Sequence, residues 1–327
     1  MEEFDISGGT MVMTEELLAA LSCLPKLRSV RWMFYALNPD RPVNSRPVFN
    51  EASFPVLEEL HAGIITKDTL KTFDSPYFPP KRLRSAASAV YRCNSSLIKR
   101  YLEVIASDGE SSMETLYLLQ RHTNLRFNDI RKITMMKTLK KLEIRAAALR
   151  LSDQHMAQLL SGLPLLEYIK FSERSQDPIS RPGNATLLSV HSLIQHCPLL
   201  ERAELFLDAR EIPSIPHPLV TEKQPGRLLR LRVGNSTIGD PEMVAEWLRG
   251  CLGRRYDRIR IWNPKGVDSR RQARREIEQA WGIVQGILGH DKLEEDEDFD
   301  AYVSHEDEVD YDLYGYESYP EGSDESD

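Results

Sequence analysis

Along most of the chain, apolar residues recur in one short code, L-x-x-L-x-L, filling its first, fourth and sixth positions. Leu27/Val30/Trp32 is the first instance, followed by Leu57/Leu60/Ala62 and the weaker Leu83/Ala86/Ser88. Met113/Leu116/Leu118, Leu139/Leu142/Ile144, Leu166/Ile169/Phe171 and Leu200/Ala203/Leu205 continue the series, and Leu228/Leu231/Val233 and Tyr256/Ile259/Ile261 end it. First positions lie 30, 26, 30, 26, 27, 34, 28 and 28 residues apart. Apolar fourth and sixth positions around polar third and fifth ones predict a short strand with one buried face. Between the strands, helical periodicity spans 94–107, 152–163, 185–197 and 240–252. Ser152 and Asp240 stand where N-caps belong, and Pro241 suits a first helical turn. Pro25, Pro55, Pro164 and Pro198 each fall two residues before a strand code, where proline stops the preceding helix. Each unit is therefore one strand and one helix. Alone it cannot bury its apolar side; stacked on its neighbours, it shares a continuous core.

This is the leucine-rich-repeat arrangement, and it predicts an α/β solenoid, a horseshoe with a parallel concave sheet and outer helices. A compact doubly wound α/β domain also alternates strand and helix, but it requires neither equal spacing nor a repeated three-position code. The Asn or Cys that commonly follows such strands is irregular: those positions hold Ala147, Arg174, Asp208, Ser236 and Pro264. The loops must then satisfy their backbone groups by another route. A flexible N-terminus is expected over 1–13 and the solenoid over 14–290. Trp281, Val284, Ile287 and Leu288 recur at helical spacing and are expected to cap its final repeat.

Strand alternation gathers the third, fifth and seventh positions on the open face of the sheet. In the later units the third positions are Lys141, Tyr168, Arg202, Arg230 and Arg258, a nearly all-basic column. The fifth are Glu143, Lys170, Glu204, Arg232 and Arg260, and Arg145, Phe206 and Trp262 take the seventh. Arginine mixed with exposed aromatics is the composition that protein-binding surfaces enrich. The alternative is a stripe of arginines that merely keeps a wide sheet soluble. The expected partner-binding set is Lys141, Tyr168, Lys170, Arg202, Phe206, Arg230, Arg232, Arg258, Arg260 and Trp262, and the expected partner a protein with an acidic surface. Nucleic acid is disfavoured, because no phosphate-binding motif accompanies the basic residues.

Charge changes the picture at the C-terminus. The chain has 327 residues and a net charge of −8. From Asp291 to Asp327 there are nine Asp and eight Glu against Lys292 alone, so the remaining body is basic, with 41 cationic and 33 acidic residues. The tail is too charged and too poor in aliphatic residues to fold by itself, and 291–327 is expected to be disordered. Tethered to a basic body, it could compete for the partner's place, more strongly at low salt. A composition of 41% hydrophobic and 28% charged residues excludes a wholly disordered chain. No apolar run is long enough for a bilayer, so no membrane partner is expected. Four dispersed cysteines and no signal peptide point to the cytoplasm or nucleus. The eight histidines form no metal-ligand spacing, and no nucleophile elbow or phosphate loop is present, so neither an enzyme, a metal nor a cofactor is expected.

The phrases LSCLPKLRSVRW, FPVLEEL, LSGLPLLEYIKF and LIQHCPLLERAEL, and the C-terminal block LLRLRVGNSTIGDPEMVAEWL leading to RIRIW, resemble the repeats of fungal F-box/leucine-rich-repeat proteins. The resemblance covers roughly residues 14–290. It implies a substrate-capturing repeat region of a ubiquitin-ligase receptor, with ligase components as possible partners. Because the first repeat begins near Met13 with no F-box before it, the ligase-docking half is not expected to carry over. The alternative is an interaction scaffold with no link to ubiquitin.

Overall fold

The structure, a computed structural model, describes residues 1–6, 12–32, 34–35, 49–64, 70, 73, 78, 82–90, 95–106, 111–173, 185–214, 229–233, 236–252, 259–262 and 272–288. The strands are β1 (Glu3–Ile6), β2 (Val12–Met13), β3 (Ser29–Trp32), β4 (Phe34–Tyr35), β5 (Glu59–Ile64), β6 (Ser85–Val90), β7 (Thr115–Arg126), β8 (Lys141–Arg150), β9 (Tyr168–Glu173), β10 (Arg202–Glu204), β11 (Asp208–Ala209), β12 (Leu229–Arg232), β13 (Thr237–Ile238) and β14 (Ile259–Trp262). The helices are α1 (Glu15–Ser22), α2 (Ser95–Ile105), α3 (Phe127–Ile130), α4 (Asp153–Ser161), α5 (Leu187–His196), α6 (Pro241–Leu252) and α7 (Gln272–Ile287), with a 3-10 turn at Arg131–Met135. Ten strands form one sheet in the order β1-β3-β5-β6-β7-β8-β9-β10-β12-β14. Every pairing in it is parallel, and the spatial order follows the chain without a crossover. A doubly wound sheet would reverse direction somewhere. This chain is an α/β leucine-rich-repeat solenoid.

The three-position code accounts for the core. Leu27, Leu57, Leu83, Met113, Leu139, Leu166 and Leu200 are buried, as are the fourth positions from Val30 to Leu231 and the sixth from Trp32 to Val233. They belong to one continuous cluster, as stacked repeats require. Helices close the outer side where the sequence places them. Ser152 accepts from the His155 N–H at 3.3 Å, and Asp240 accepts from the Glu242 and Met243 N–H groups, so both act as N-caps. Early in the chain an aromatic cluster fills the corresponding space: Trp32 on Phe73, Phe73 on Phe78, Phe78 on Phe54 and Phe54 on Phe49.

Without a regular asparagine, three other devices tie the repeats together. The second-position carbonyls of Arg28, Glu58, Arg84, Glu114, Lys140 and Glu167 each accept two successive N–H groups from the next strand, as Lys140 does from Glu167 and Tyr168. On the far side of the strands Ser236, at one of the asparagine positions, is 1% exposed and accepts the Leu207 N–H at 2.7 Å. Asp153 ties two helix starts by accepting from the Thr186 N–H, the Thr186 hydroxyl and the Ser189 hydroxyl. The helices also approach closely: a Cβ on Gly162 would collide with the Thr134 carbonyl oxygen.

Two expectations change. The segment 1–13 is not wholly a flexible leader, because β1 heads the sheet and pairs Glu3–Ile6 with Ser29–Trp32. Its alternation of Phe4 and Ile6 with Glu3 and Asp5 is a two-period pattern too short to stand out in the sequence. The last unit is displaced by two residues: Leu231 pairs with Ile261, not Ile259, and Arg230 pairs with Arg260. Tyr256, expected as its first position, lies outside the described residues. At the C-terminal end Trp281, Val284 and Leu288 are buried, and the Trp281 Nε1–H donates to the Ser236 carbonyl at 2.9 Å. Residues 291–327 lie outside the described residues.

Candidate protein-binding face

On the sheet, third and fifth positions point away from the leucine core. Register places Lys141 beside Tyr168, Tyr168 beside Arg202, and Arg202 beside Arg230, with Arg260 next. Adjacent strands lie about 4.8 Å apart, so these residues form one line across the sheet. Lys141 and Arg230 are exposed at its ends, while Tyr168 and Arg202 are half-buried between them. The Arg202 guanidinium sits over the Tyr168 ring, 5.4 Å from its centroid, a cation–π contact that fixes both side chains. Burial, reinforced by the Glu143 carboxylate, pushes the Tyr168 phenol well above its ordinary range, so it stays neutral. Burial shifts Arg202 down, opposed by Tyr168 and Glu204, and the Arg232 and Arg230 guanidiniums add the smallest pushes downward.

The fifth-position line behaves differently. Glu143, Lys170, Glu204 and Arg232 alternate in sign along it. The Lys170 ammonium stands 3.7 Å from Glu143 and 4.0 Å from Glu204, and Arg232 reaches Glu204 at 3.3 Å. Lys170 is 7% exposed. It is therefore part of the sheet's internal ion chain rather than a residue open to a partner, because two flanking carboxylates draw its ammonium inward. Arg232 is half-buried in the same chain. Phe206 is half-buried just beyond β10. Arg145 pairs with Glu143 within its own strand.

The two-residue displacement of the last unit reassigns its members. Arg260 takes the third-position line, where Arg258 was expected, and Trp262 takes the fifth, opposite Arg232. Arg258 lies outside the described residues. Glu143 and Glu204, visible in the sequence as fifth positions, were the signal that the fifth column is an alternating chain and not a basic one.

The earlier strands carry a second set of open-face residues that the later-unit columns do not include. Glu59 accepts from the Ser29 hydroxyl at 3.0 Å and from Arg31 at 3.4 Å. His61 lies 3.3 Å from the Ser85 hydroxyl. Burial, then Arg31, lowers the His61 pKa, opposed by Glu59 and Asp5. Ala87 and Tyr117 follow His61 in the fifth-position line. Applying the same positional code to the units that begin at Leu27, Leu57, Leu83 and Met113 would have found them.

Among the described residues, no group of three or more His, Cys, Asp or Glu could hold a metal ion. Burial pushes the Cys197 and Cys251 thiols up to about 12, so both stay protonated and unreactive. No described helix is long and apolar enough to cross a membrane.

No family model matches the sequence, and neither does any curated protein. Among solved structures, a chain from the crystal structure of a TLR13–ssRNA13 complex is similar at 12% identity, with a TM-score of 0.37. The match covers 80% of this chain and 41% of that one, so this chain spans less than half its neighbour's length.

Proposed function

We propose that this chain is a recognition scaffold without chemistry of its own, which binds an acidic protein segment on the later half of its open face. The observation that carries this reading is the line Lys141, Tyr168, Arg202, Arg230, held in register by four parallel strands. Its ends are exposed cations, and its centre is a guanidinium stacked on a neutral phenol. An incoming carboxylate is attracted by the cations along this line, whereas a cationic partner is repelled. The strands hold the side chains before binding, so little ordering opposes association. The repeat phrases that resemble F-box/leucine-rich-repeat receptors support a narrower version, in which the captured segment belongs to a ubiquitination substrate.

The test is fluorescence anisotropy with a labelled hexaglutamate peptide at low salt. The expected result is saturable binding that weakens with added salt and falls at least tenfold in the double variant Lys141→Glu/Arg230→Glu, with an unchanged melting curve. Equal affinity in the double variant overturns the proposal. A single-stranded RNA of the same charge is the competing probe; tighter binding of the RNA would replace the acidic protein with a nucleic acid.

A further inference from the structure

At β1 the repeat code reaches the edge of the sheet. Pairing of Glu3 with Ser29 puts Met1, Phe4 and Ile6 at the first, fourth and sixth positions, and Glu3 and Asp5 at the third and fifth. β1 is hydrogen-bonded to β3 on one side and, among the described strands, to none on the other. The consequence shows in burial. Leu27, Leu57 and Leu83 are fully buried at first positions, but Met1 is 69% exposed. Val30 and Trp32 are buried where Phe4 and Ile6 are only half-buried against the core. The backbone is open in a definite direction too. At each junction the second-position carbonyl accepts the second and third N–H groups of the next strand. Glu2 takes Arg28 and Ser29 at 2.7 and 3.1 Å, and Arg28 takes Glu58 and Glu59 at 2.8 and 2.9 Å. The equivalent Glu2 and Glu3 N–H groups therefore point to the outer edge, where the carbonyl of a parallel neighbour would meet them.

We propose that this edge adds an extended segment of a protein partner as a further parallel strand. Its alternate side chains are lysine or arginine beside Glu3 and Asp5, with aliphatic residues between them against Phe4 and Ile6. The cations are argued from the sheet itself, whose neighbouring strands set opposite charges side by side, as in Arg31–Glu59 and Lys170–Glu143. A second copy pairing through its own β1 would instead bring the Glu3 and Asp5 carboxylates of both copies together, which disfavours it. The aliphatic positions follow from the half-buried Phe4 and Ile6, which an added strand would cover as β3 covers its neighbours. Main-chain hydrogen bonds supply the affinity of such an added strand, and its alternate side chains the selectivity. The Lys141–Arg230 line begins at β8, five strands away, about 24 Å along the sheet. The two sites take segments of opposite charge, so this one stands or falls independently of the function proposed above.

The probe is a labelled peptide, Gly-Ser-Lys-Val-Lys-Val-Gly-Ser, titrated by fluorescence anisotropy at low salt against the full chain. In this register the valine amides face β1 and the lysine amides face away, because successive residues of a strand alternate their hydrogen-bonding side. Methylating both valine nitrogens is expected to abolish binding, and methylating both lysine nitrogens to leave it. The carboxylates between Asp291 and Asp327 attract the same peptide, but through charge alone, which does not depend on which amides are methylated. Glu3→Lys is expected to weaken the peptide about three- to tenfold, the range for replacing one attractive cross-strand charge pair by a repulsive one. Glu3→Gln is the milder variant, used if the first alters the melting curve. The double variant Lys141→Glu/Arg230→Glu should bind the peptide as the wild type does. Equal effects of the two methylated sets overturn the proposal, and so does the absence of binding at roughly millimolar peptide. Sedimentation velocity of the protein alone tests the other occupant: concentration-dependent association that Glu3→Lys removes assigns the edge to a second copy and overturns the partner strand.

Discussion

From β1 to β7 the third and fifth positions are Glu3/Asp5, Ser29/Arg31, Glu59/His61, Ser85/Ala87 and Thr115/Tyr117. From β8 to β12 they are Lys141/Glu143, Tyr168/Lys170, Arg202/Glu204 and Arg230/Arg232. The first set holds three carboxylates and one arginine; the second holds five cations and two carboxylates. Beneath both lies the same buried code, with Leu60 and Leu142 exposed by 1% and 0%. The fold constrains the alternate positions that face the core and leaves the others open to vary. Differences between the halves are therefore the place to look for recognition, and similarities the place to look for stability.

The largest predicted effect tests the similarity. Leu60→Ala and Leu142→Ala should each cost about 2–5 kcal/mol, because each removes a fully buried side chain and leaves a cavity between strand and outer layer. Chemical denaturation of the two variants measures this. If the costs differ by more than the spread of that range, the halves do not share one interior.

The next effect separates two basic residues that sequence reasoning treats alike. Lys170→Met takes the shared ammonium from Glu143 and Glu204, leaving each carboxylate with a single arginine, and should cost about 1–3 kcal/mol. Arg230→Met alters an exposed position and should stay within about 0.5 kcal/mol, while weakening the acidic peptide. Denaturation and anisotropy on the same two proteins decide it. An Arg230→Met that unfolds the chain, or a harmless Lys170→Met, would reverse the roles assigned to the two lines.

Ser236→Ala comes third. It removes the hydroxyl that receives the Leu207 N–H, leaving a buried donor unsatisfied at a cost of about 1–3 kcal/mol. Ser236→Asn, which restores the residue common to such repeats, should recover part of the loss in a thermal melt. Failure of Asn to recover any of it would mean that the site is shaped for serine alone.

Much of this organisation is legible in the chain. The even spacing and the first, fourth and sixth positions give strand order, register and core directly, since a two-period strand has only one way to turn its leucines inward. The open-face line Lys141, Tyr168, Arg202, Arg230 follows from the same register. What the sequence hides is pairwise. Whether a lysine faces solvent or two carboxylates depends on neighbours some 30 residues away, and a column listed by residue type misses that alternation at Lys170. Aromatic-rich spacing near Tyr256 disguises the two-residue displacement that moves Arg260 and Trp262.

The smallest effect sharpens the comparison through pH. His61 faces Arg31 on the neighbouring strand with Asp5 one strand further, Glu59 on its own strand, and Ser85 and Ala87 across the other boundary. Its folded-state pKa lies below 6.5, with burial the leading cause and Arg31 the second. The unfolded chain therefore takes up a proton at a pH where folded His61 still resists it. Unfolding is favoured by that uptake, so stability falls as pH drops below 6.5, and the loss levels off once folded His61 also protonates. Above 6.5 the contribution is complete. His61→Gln removes the titrating group: wild type and variant should run parallel from pH 8 to 7, and the wild type should lose more melting temperature between pH 6.5 and 5. Curves that stay parallel throughout would show that His61 titrates alike in both states, as an imidazole in water does. The contrast between the two halves would then reduce to charge alone.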